Sequence, residues 1–375
     1  MKIRAAVLHQ MGASRPYTRS KPVVIEEVDL DPPGPGEVLV RVAVAGVCHS
    51  DLSVVNGNRP RPMPMVLGHE AAGVVETVGE GVTRLLPGDH VVFVFMPSCG
   101  GCDMCRAGRP SLCAKGFVSN AAGTLLGGAR RLSRDGTPYF HQVGVSCFAD
   151  HAVVDQSSLV KVDPDLPLGE AALFSCAVIT GVGAVMNTAA MAEGASAGVV
   201  GLGGTGLAAL LGAKAADAGL VGGFDPLAEK RALAKSLGAD LVFDPAAPDV
   251  IEAVRDSTGG GLDYVFECVG SVQAMEFAYA ITRRGGMTVT SGLSHPDRKF
   301  SIQHVNLVVE ERTIKGSYLG SCVVQRDIPR YIGLFRAGRL PVDRLISRRI
   351  GLDDLNDAFE RLAEGSEIRQ IIEFD

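Results

Sequence analysis

The segment "CGGCDMCRAGRPSLC", residues 99 to 113, holds four of the nine cysteines in a chain of 375 residues. The spacing Cys99-x2-Cys102-x2-Cys105-x7-Cys113 crowds the thiols into one loop, and Gly100, Gly101 and Gly108 let the backbone turn around a common centre. Thiols gathered in this way are metal ligands, and zinc, content with four sulfurs at about 2.3 Å, is the metal expected. Iron–sulfur runs follow other spacings and often place Pro after the last cysteine. Four thiolates leave no open coordination position, so this metal is expected to be structural. Arg106, Arg109 and Lys115 either offset the surplus negative charge or form a solvated basic loop.

A disulfide framework is the other use of cysteines, but nine is an odd number and a chain of this length can bury a large core without cross-links. The opening "MKIRAAVLHQ" has no signal-peptide character and no stretch reaches about 18 uninterrupted apolar residues, so a soluble cytoplasmic protein is expected. The composition, 46% hydrophobic and 21% charged with net charge -6, is that of an ordinary globular protein and gives no basis for nucleic-acid binding. Two domains are expected at this length.

A second set of metal-capable and acid–base residues is dispersed. "GVCHSDL" supplies Cys48, His49, Ser50 and Asp51, "VLGHEAAGVV" supplies His69 and Glu70, and "LFSCAVITGVGAV" supplies Cys176. Singly, each has a local explanation: Cys176 as a core residue, His69 as a turn residue after Gly68, Ser50 as a helix cap.

A third signal lies in "AGVVGLGGTGLAALLGAKAADAGLVGGFD". It predicts a strand through Val199 and Val200, a turn at Gly201, Gly203, Gly204 and Gly206, a helix over about 205–218, and a second strand ending at Asp225. This is a dinucleotide fingerprint in its required context: glycines for the tight turn, for backbone approach to a pyrophosphate and for close helix packing, with the phosphates at the helix N-terminus. Asp225, 19 residues beyond Gly206, stands where a carboxylate binds the adenosine ribose and repels a 2′-phosphate, which favours NAD over NADP.

The elements that must hold these residues fall into two kinds. Strands at "LVFD", "LDYVFECVG" and "GGMTVTSG" alternate with helical stretches such as "AEKRALAKSL" and "VQAMEFAYAIT", which implies a parallel doubly wound sheet. Before Ala177, short alternating strands such as "GEVLVRVAVAGV" and "PGDHVVFVF" predict a largely antiparallel half. Beyond Tyr318 the pattern gives helices at "PRYIGLFRAG" and "LDDLNDAFERLAEG" and a final strand at "RQIIEF".

With "GVCHSDL", "GHEAAGVVETVGEGV", "PGDHV", the four-cysteine loop, "GLGGTGLAAL", "FECVG" and "SEIRQII" in view, the whole chain resembles the zinc-dependent alcohol dehydrogenases of the medium-chain dehydrogenase/reductase family, in particular the liver-like branch. The resemblance implies an α/β protein with a chaperonin-10-like (GroES-like), mainly β catalytic domain at 1–177 and 319–375, and a Rossmann NAD-binding domain at 178–318. It implies two zinc ions per chain. Cys48, His69 and Cys176 match the catalytic ligands, the two-cysteine, one-histidine set known for alcohol dehydrogenase, with the fourth position left for water or substrate. Ser50 matches the hydroxyl of the proton relay, and Asp51 and Glu70 match carboxylates behind the ligands. His49 and Arg369 match contacts of the cofactor pyrophosphate, Thr180 lies beside the nicotinamide, and Lys230 joins the cofactor-binding set.

The same resemblance makes Phe95, Leu112, Phe117, Val118, Leu293 and Tyr318 an apolar pocket lining with Asn58 and Arg59 at its mouth. It implies reversible hydride transfer between NAD and a primary alcohol that is aromatic, allylic or medium-chain. Two departures are visible. Ser53 replaces the histidine that often ends the relay, and Phe117 stands where relatives acting on the glutathione adduct of formaldehyde use an arginine. A thiol-adduct formaldehyde dehydrogenase and a non-catalytic protein keeping the fold are the alternatives. The length of the segment after the cysteine loop fits a homodimer paired through the dinucleotide domains. Cys147, Cys268 and Cys322 are expected to be free buried thiols, and His9, His90, His141, His151, His295 and His304 structural or surface residues.

Overall fold

The computed structural model describes residues 1–374. The chain forms two compact units, one of residues 1–176, 323–329 and 343–375, the other of residues 177–322 and 330–342.

The first unit is built on the strand Glu37–Val47, whose alternation buries Val38, Val40 and Val42 while Arg41 faces solvent. Along one side it pairs antiparallel with Ala71–Val78. Along the other, His151–Asp155 pairs with its first half and the C-terminal strand Gln370–Glu373 with its second half. A smaller closed barrel joins Lys2–Leu8, Val23–Leu30, Leu132–Arg134, Thr137–His141 and Met65–Val66. The expected antiparallel character holds except for two pairs, Met65–Val66 with Thr137–His141 and Arg348–Ile350 with Gln370–Glu373. Each parallel pair joins strands linked by a long connection, as parallel geometry requires. Val38, Val40, Phe93, Phe148 and Phe359 fill the core between these layers.

The second unit is a six-stranded, all-parallel sheet in the spatial order Leu241–Phe243, Leu220–Phe224, Ser196–Val200, Leu262–Glu267, Thr282–Thr290, Thr313–Gly316. In sequence numbering this is the 3-2-1-4-5-6 order of a Rossmann sheet, whose ligand crevice opens at the carboxyl ends of the two central strands. The helix expected at about 205–218 is Gly204–Ala215, ending where Ala216 leaves helical geometry. The segment 330–342 is tied into this unit by Asn187, whose side-chain amide donates to the Tyr331 hydroxyl at 3.0 Å. No helix among the described residues is long and apolar enough to cross a membrane.

Candidate active site

The four-cysteine loop closes on itself. Gly100 and Gly108 take positive φ of 68° and 72°, and the short helix Asp103–Arg106 turns Cys105 back towards Cys102. The Sγ atoms of Cys102 and Cys105 lie 3.5 Å apart, those of Cys102 and Cys113 3.9 Å, and all four lie within 4.8 Å of one another. A tetrahedral zinc with sulfur bonds of about 2.3 Å has sulfur–sulfur edges of about 3.8 Å. The donor set therefore fits zinc without rearrangement. Backbone N–H groups, foremost that of Cys105, draw the Cys102 thiol down to about 6, while burial pushes Cys105 up to about 12. Arg106 pairs locally with Asp103 and the Gly101 carbonyl.

Cys48, His69, Glu70 and Cys176 form the second cluster, with their ligand atoms within 4.8 Å of one another. Cys48 ends the central strand and begins the helix His49–Val55, and Asp51 of that helix accepts the Cys48 N–H at 3.0 Å. The other Asp51 oxygen pairs with His69 Nδ1 at 2.7 Å. That contact assigns the ring proton to Nδ1 and leaves the Nε2 lone pair facing inward. His69 Nε2 is buried with no hydrogen-bond partner in the protein, as is Glu70 Oε1, 3.5 Å away. Cys176 is delivered by its neighbour: the buried Ser175 hydroxyl donates to the Ala71 carbonyl at 2.8 Å and accepts the Ala71 N–H at 3.1 Å. A buried lone pair with nothing to bind, beside two sulfurs, is what a zinc ligand set looks like before the ion is added.

A metal at this cluster would displace protons from the thiols and from His69 Nε2, which the surrounding anionic groups favour keeping. A hydrogen bond with the Cys176 thiol holds Cys48 well below the ordinary thiol range, and the same contact raises Cys176. Burial disfavours the charged His69 ring, but the Asp51 carboxylate outweighs it and the group lies well above its usual value. Burial raises Asp51, and it pushes Glu70 up to about 8 despite Arg369. Arg369, 4% exposed, is held against Glu70 Oε2 at 2.7 Å.

In the second unit, Gly201 ends the strand Ser196–Val200 with φ 88°, and a Cβ there would overlap the Val269 side chain. A Cβ on Gly206 would overlap the Gly201 carbonyl oxygen, whereas Gly203, which precedes the helix, faces open space. Packing thus requires Gly201 and Gly206, whereas Gly203 leaves a cradle at the N-terminus of the helix that Gly204 begins. Asp225 is buried at the end of its strand and accepts the N–H groups of Leu202 and Leu227, both at 2.9 Å. These bonds aim its carboxylate across the fingerprint loop. Lys230 is half-buried on the helix Ala228–Ser236, and the Arg231 side chain donates to the Asp225 carbonyl at 2.7 Å.

Residues 34–164 match the family model described as alcohol dehydrogenase GroES-like domain, and residues 204–337 match that described as zinc-binding dehydrogenase. A Mycobacterium tuberculosis chain provisionally named alcohol dehydrogenase D is 40% identical, covering 99% of this chain and 100% of that one. The chain belongs to the zinc-binding alcohol dehydrogenase family. It is an oxidoreductase of that zinc-dependent type with a medium-chain dehydrogenase/reductase fold, as the sequence motifs predict. An Escherichia coli S-(hydroxymethyl)glutathione dehydrogenase is 37% identical over all of both chains. The crystal structure of benzyl alcohol dehydrogenase from Acinetobacter calcoaceticus superposes with a TM-score of 0.93 at 30% identity, covering 100% of each chain.

The remaining residues singled out in this alcohol dehydrogenase chain fall as follows. Ser50 is half-buried and His49 exposed on the helix that starts at the metal cluster. The Ser53 hydroxyl donates back to the His49 carbonyl at 2.8 Å. Phe95 packs edge-on against the His69 ring with centroids 5.4 Å apart. Phe117 and Val118 project into solvent from the helix Ala114–Ala122. Thr180 lies half-buried on the helix Ala177–Gly183 of the second unit, which also carries the exposed Leu293 and the half-buried Tyr318. Cys147 and Cys322 are buried and Cys268 is partly exposed. His141 is buried and neutral, held down at about 3 by burial and accepting the Arg131 N–H. The sequence pattern does not single out Gln142, a buried amide within hydrogen-bond distance of Asp51. It lies in irregular chain with no motif around it, so only its contacts reveal it.

Proposed function

We propose that the chain is an NAD-dependent dehydrogenase of apolar primary alcohols that carries two zinc ions, one held by Cys99, Cys102, Cys105 and Cys113 and one by Cys48, His69 and Cys176. The observation that carries this reading is the convergence of two thiols and the unpartnered His69 Nε2. When bound, zinc at that site lowers the pKa of an alcohol at its open position and NAD accepts the hydride. The chain's own residues supply the rest. Asp51 fixes the His69 ring, so that one nitrogen always points inward. Phe95 packs edge-on against that ring and helps hold it in place. Ser50 takes the alcohol proton towards solvent, and because the Ser53 hydroxyl is turned back on its own helix, the relay ends in water.

His49 and Arg369 bind the pyrophosphate, Thr180 lies by the nicotinamide, and Lys230 assists at the adenosine end. Asp225 selects NAD, because a 2′-phosphate would meet a carboxylate fixed by two N–H groups. The resemblance of Phe95, Phe117, Val118, Leu293 and Tyr318 to the family's lining residues supports an aromatic, allylic or medium-chain alcohol. A thiol-adduct formaldehyde dehydrogenase is the second reading, favoured by the name of the Escherichia coli relative. Purified chain should contain two zincs and reduce NAD, with NADP a poor substitute, when given benzylic, allylic and aliphatic alcohols. Turnover confined to formaldehyde with a thiol would move the assignment to the second reading, and one zinc with no turnover would overturn both.

We further propose a homodimer joined through the outer strand Thr313–Gly316. This strand bonds to Thr282–Thr290 on one side, and no strand pairs with its other edge among the described residues. On the helix His304–Val309, which precedes this strand in the chain, Val305, Val308 and Val309 are 59%, 61% and 65% exposed, apolar surface suited to a second copy. Light scattering should give twice the chain mass, and Val308→Glu with Val309→Glu should halve it. A monomeric parent would remove the proposal.

A further inference from the structure

We propose that Gln142 is a positioning residue for His69, clamping the metal-facing ring through Asp51 and through the backbone at Gly68. Gln142 follows the strand Thr137–His141 and is 3% exposed. Its Nε2 donates to Asp51 Oδ1 at 2.8 Å, the same oxygen that pairs with His69 Nδ1 at 2.7 Å. Its Oε1 accepts the N–H of Gly68, the residue just before His69, at 2.6 Å. One side-chain amide therefore touches both supports of the histidine.

The orientation of the amide is not free. A backbone N–H only donates, so the atom facing Gly68 is the oxygen and the NH2 group must face the carboxylate. The Gln142 backbone is itself pinned, its N–H donating to Ser146 Oγ at 2.9 Å while that hydroxyl donates to the Val66 carbonyl at 2.8 Å. Gly68 has φ 98°, and a Cβ there would overlap the Phe148 backbone, so this close approach needs glycine, the least restricted residue, just before His69. Asp51 is completely buried, and its three donors are the Cys48 N–H, His69 Nδ1 and Gln142 Nε2. Removing the amide strips one donor from a buried carboxylate and frees the Gly68 N–H, and the ring loses its fixed aim at the metal.

The inference rests on the reading that Cys48, His69 and Cys176 hold a metal, and its test uses a binding readout. The zinc-loaded full-length chain is titrated with a chromophoric chelator, the four-cysteine metal serving as internal reference, and the visible spectrum of the cobalt-substituted centre is recorded. Gln142→Met should weaken metal retention at the three-ligand site by about 10- to 100-fold. It should shift the cobalt bands, leave the four-cysteine metal unchanged and keep Tm within a few degrees. Gln142→Glu preserves volume and the acceptor for Gly68 while placing a second carboxylate against Asp51, and it should weaken the same site similarly. Retention within threefold of the parent in both variants overturns the proposal, and so does equal loss from both sites. If Gln142→Met does not fold, Gln142→Glu decides by the same comparison, and a Gln142→Glu chain that also fails to fold marks Gln142 as packing alone and overturns the proposal. A parent that binds no metal at Cys48, His69 and Cys176 would sink the functional reading itself, whereas a two-metal parent with insensitive variants sinks only the role of Gln142.

Discussion

Cys176→Ala is expected to give a folded chain that retains the four-cysteine zinc, loses the other, and oxidises alcohol at least roughly a thousandfold more slowly, a barrier increase of about 4 kcal/mol. The fold should survive because Ser175, not Cys176, makes the hydrogen bonds to Ala71 that anchor this segment. Ligation should not survive, because His69 and Cys48 alone leave two coordination positions open and the unpartnered Nε2 without its companion sulfur. Glu70 Oε1, 3.5 Å from His69 Nε2, is the one remaining donor nearby, and its other oxygen is tied to Arg369 at 2.7 Å. Turnover within tenfold of the parent, with zinc content measured on the same preparation, would end the assignment of Cys48, His69 and Cys176.

The second large effect is expected at the other metal. Cys113 is fully buried, accepts the N–H groups of Cys99 at 3.3 Å and Gly116 at 3.4 Å, and so both closes the loop and caps the helix Ala114–Ala122. That helix carries Asn120, whose amide donates to the Phe95 carbonyl at 2.9 Å, and Phe95 packs on His69. Cys113→Ser should therefore lose one zinc per chain and lower Tm by about ten degrees or more, since a structural zinc contributes folding free energy directly. The loss should reach the alcohol site as a rise in KM, through the Asn120–Phe95 link. An unchanged Tm with a single zinc remaining would show that the loop needs no metal to hold its shape.

The two metal clusters differ in how far they were legible beforehand. The four-cysteine loop is local: its ligands fall within one short segment whose glycines already permit the turn, so spacing alone predicts the donor set. The same is true of Gly201, Gly206 and Asp225, where a strand, a tight turn and a helix are consecutive in the chain and alternating elements imply a parallel sheet, whose 3-2-1-4-5-6 order the structure supplies. In these regions short-range sterics and hydrophobic periodicity leave little choice.

The cluster of Cys48, His69 and Cys176 is different, because its contacts join distant parts of the chain. Ser175 meets Ala71 across 104 positions, Gln142 meets Asp51 across 91, and Arg369 meets Glu70 across 299. The motifs around Cys48, His69 and Cys176 could be matched to a family, but no spacing rule states that they converge. By itself, the sequence determined the residue types, the cysteine loop, the glycine turn and the two classes of secondary structure. Only the tertiary structure decided that His69 Nε2 is left unpartnered, that Arg369 is buried against Glu70, and that Gln142 bridges Asp51 and Gly68. The physical reason is that a buried polar group must find its partners in whatever segment packing brings near it, and that segment is chosen by the whole core rather than by neighbouring residues.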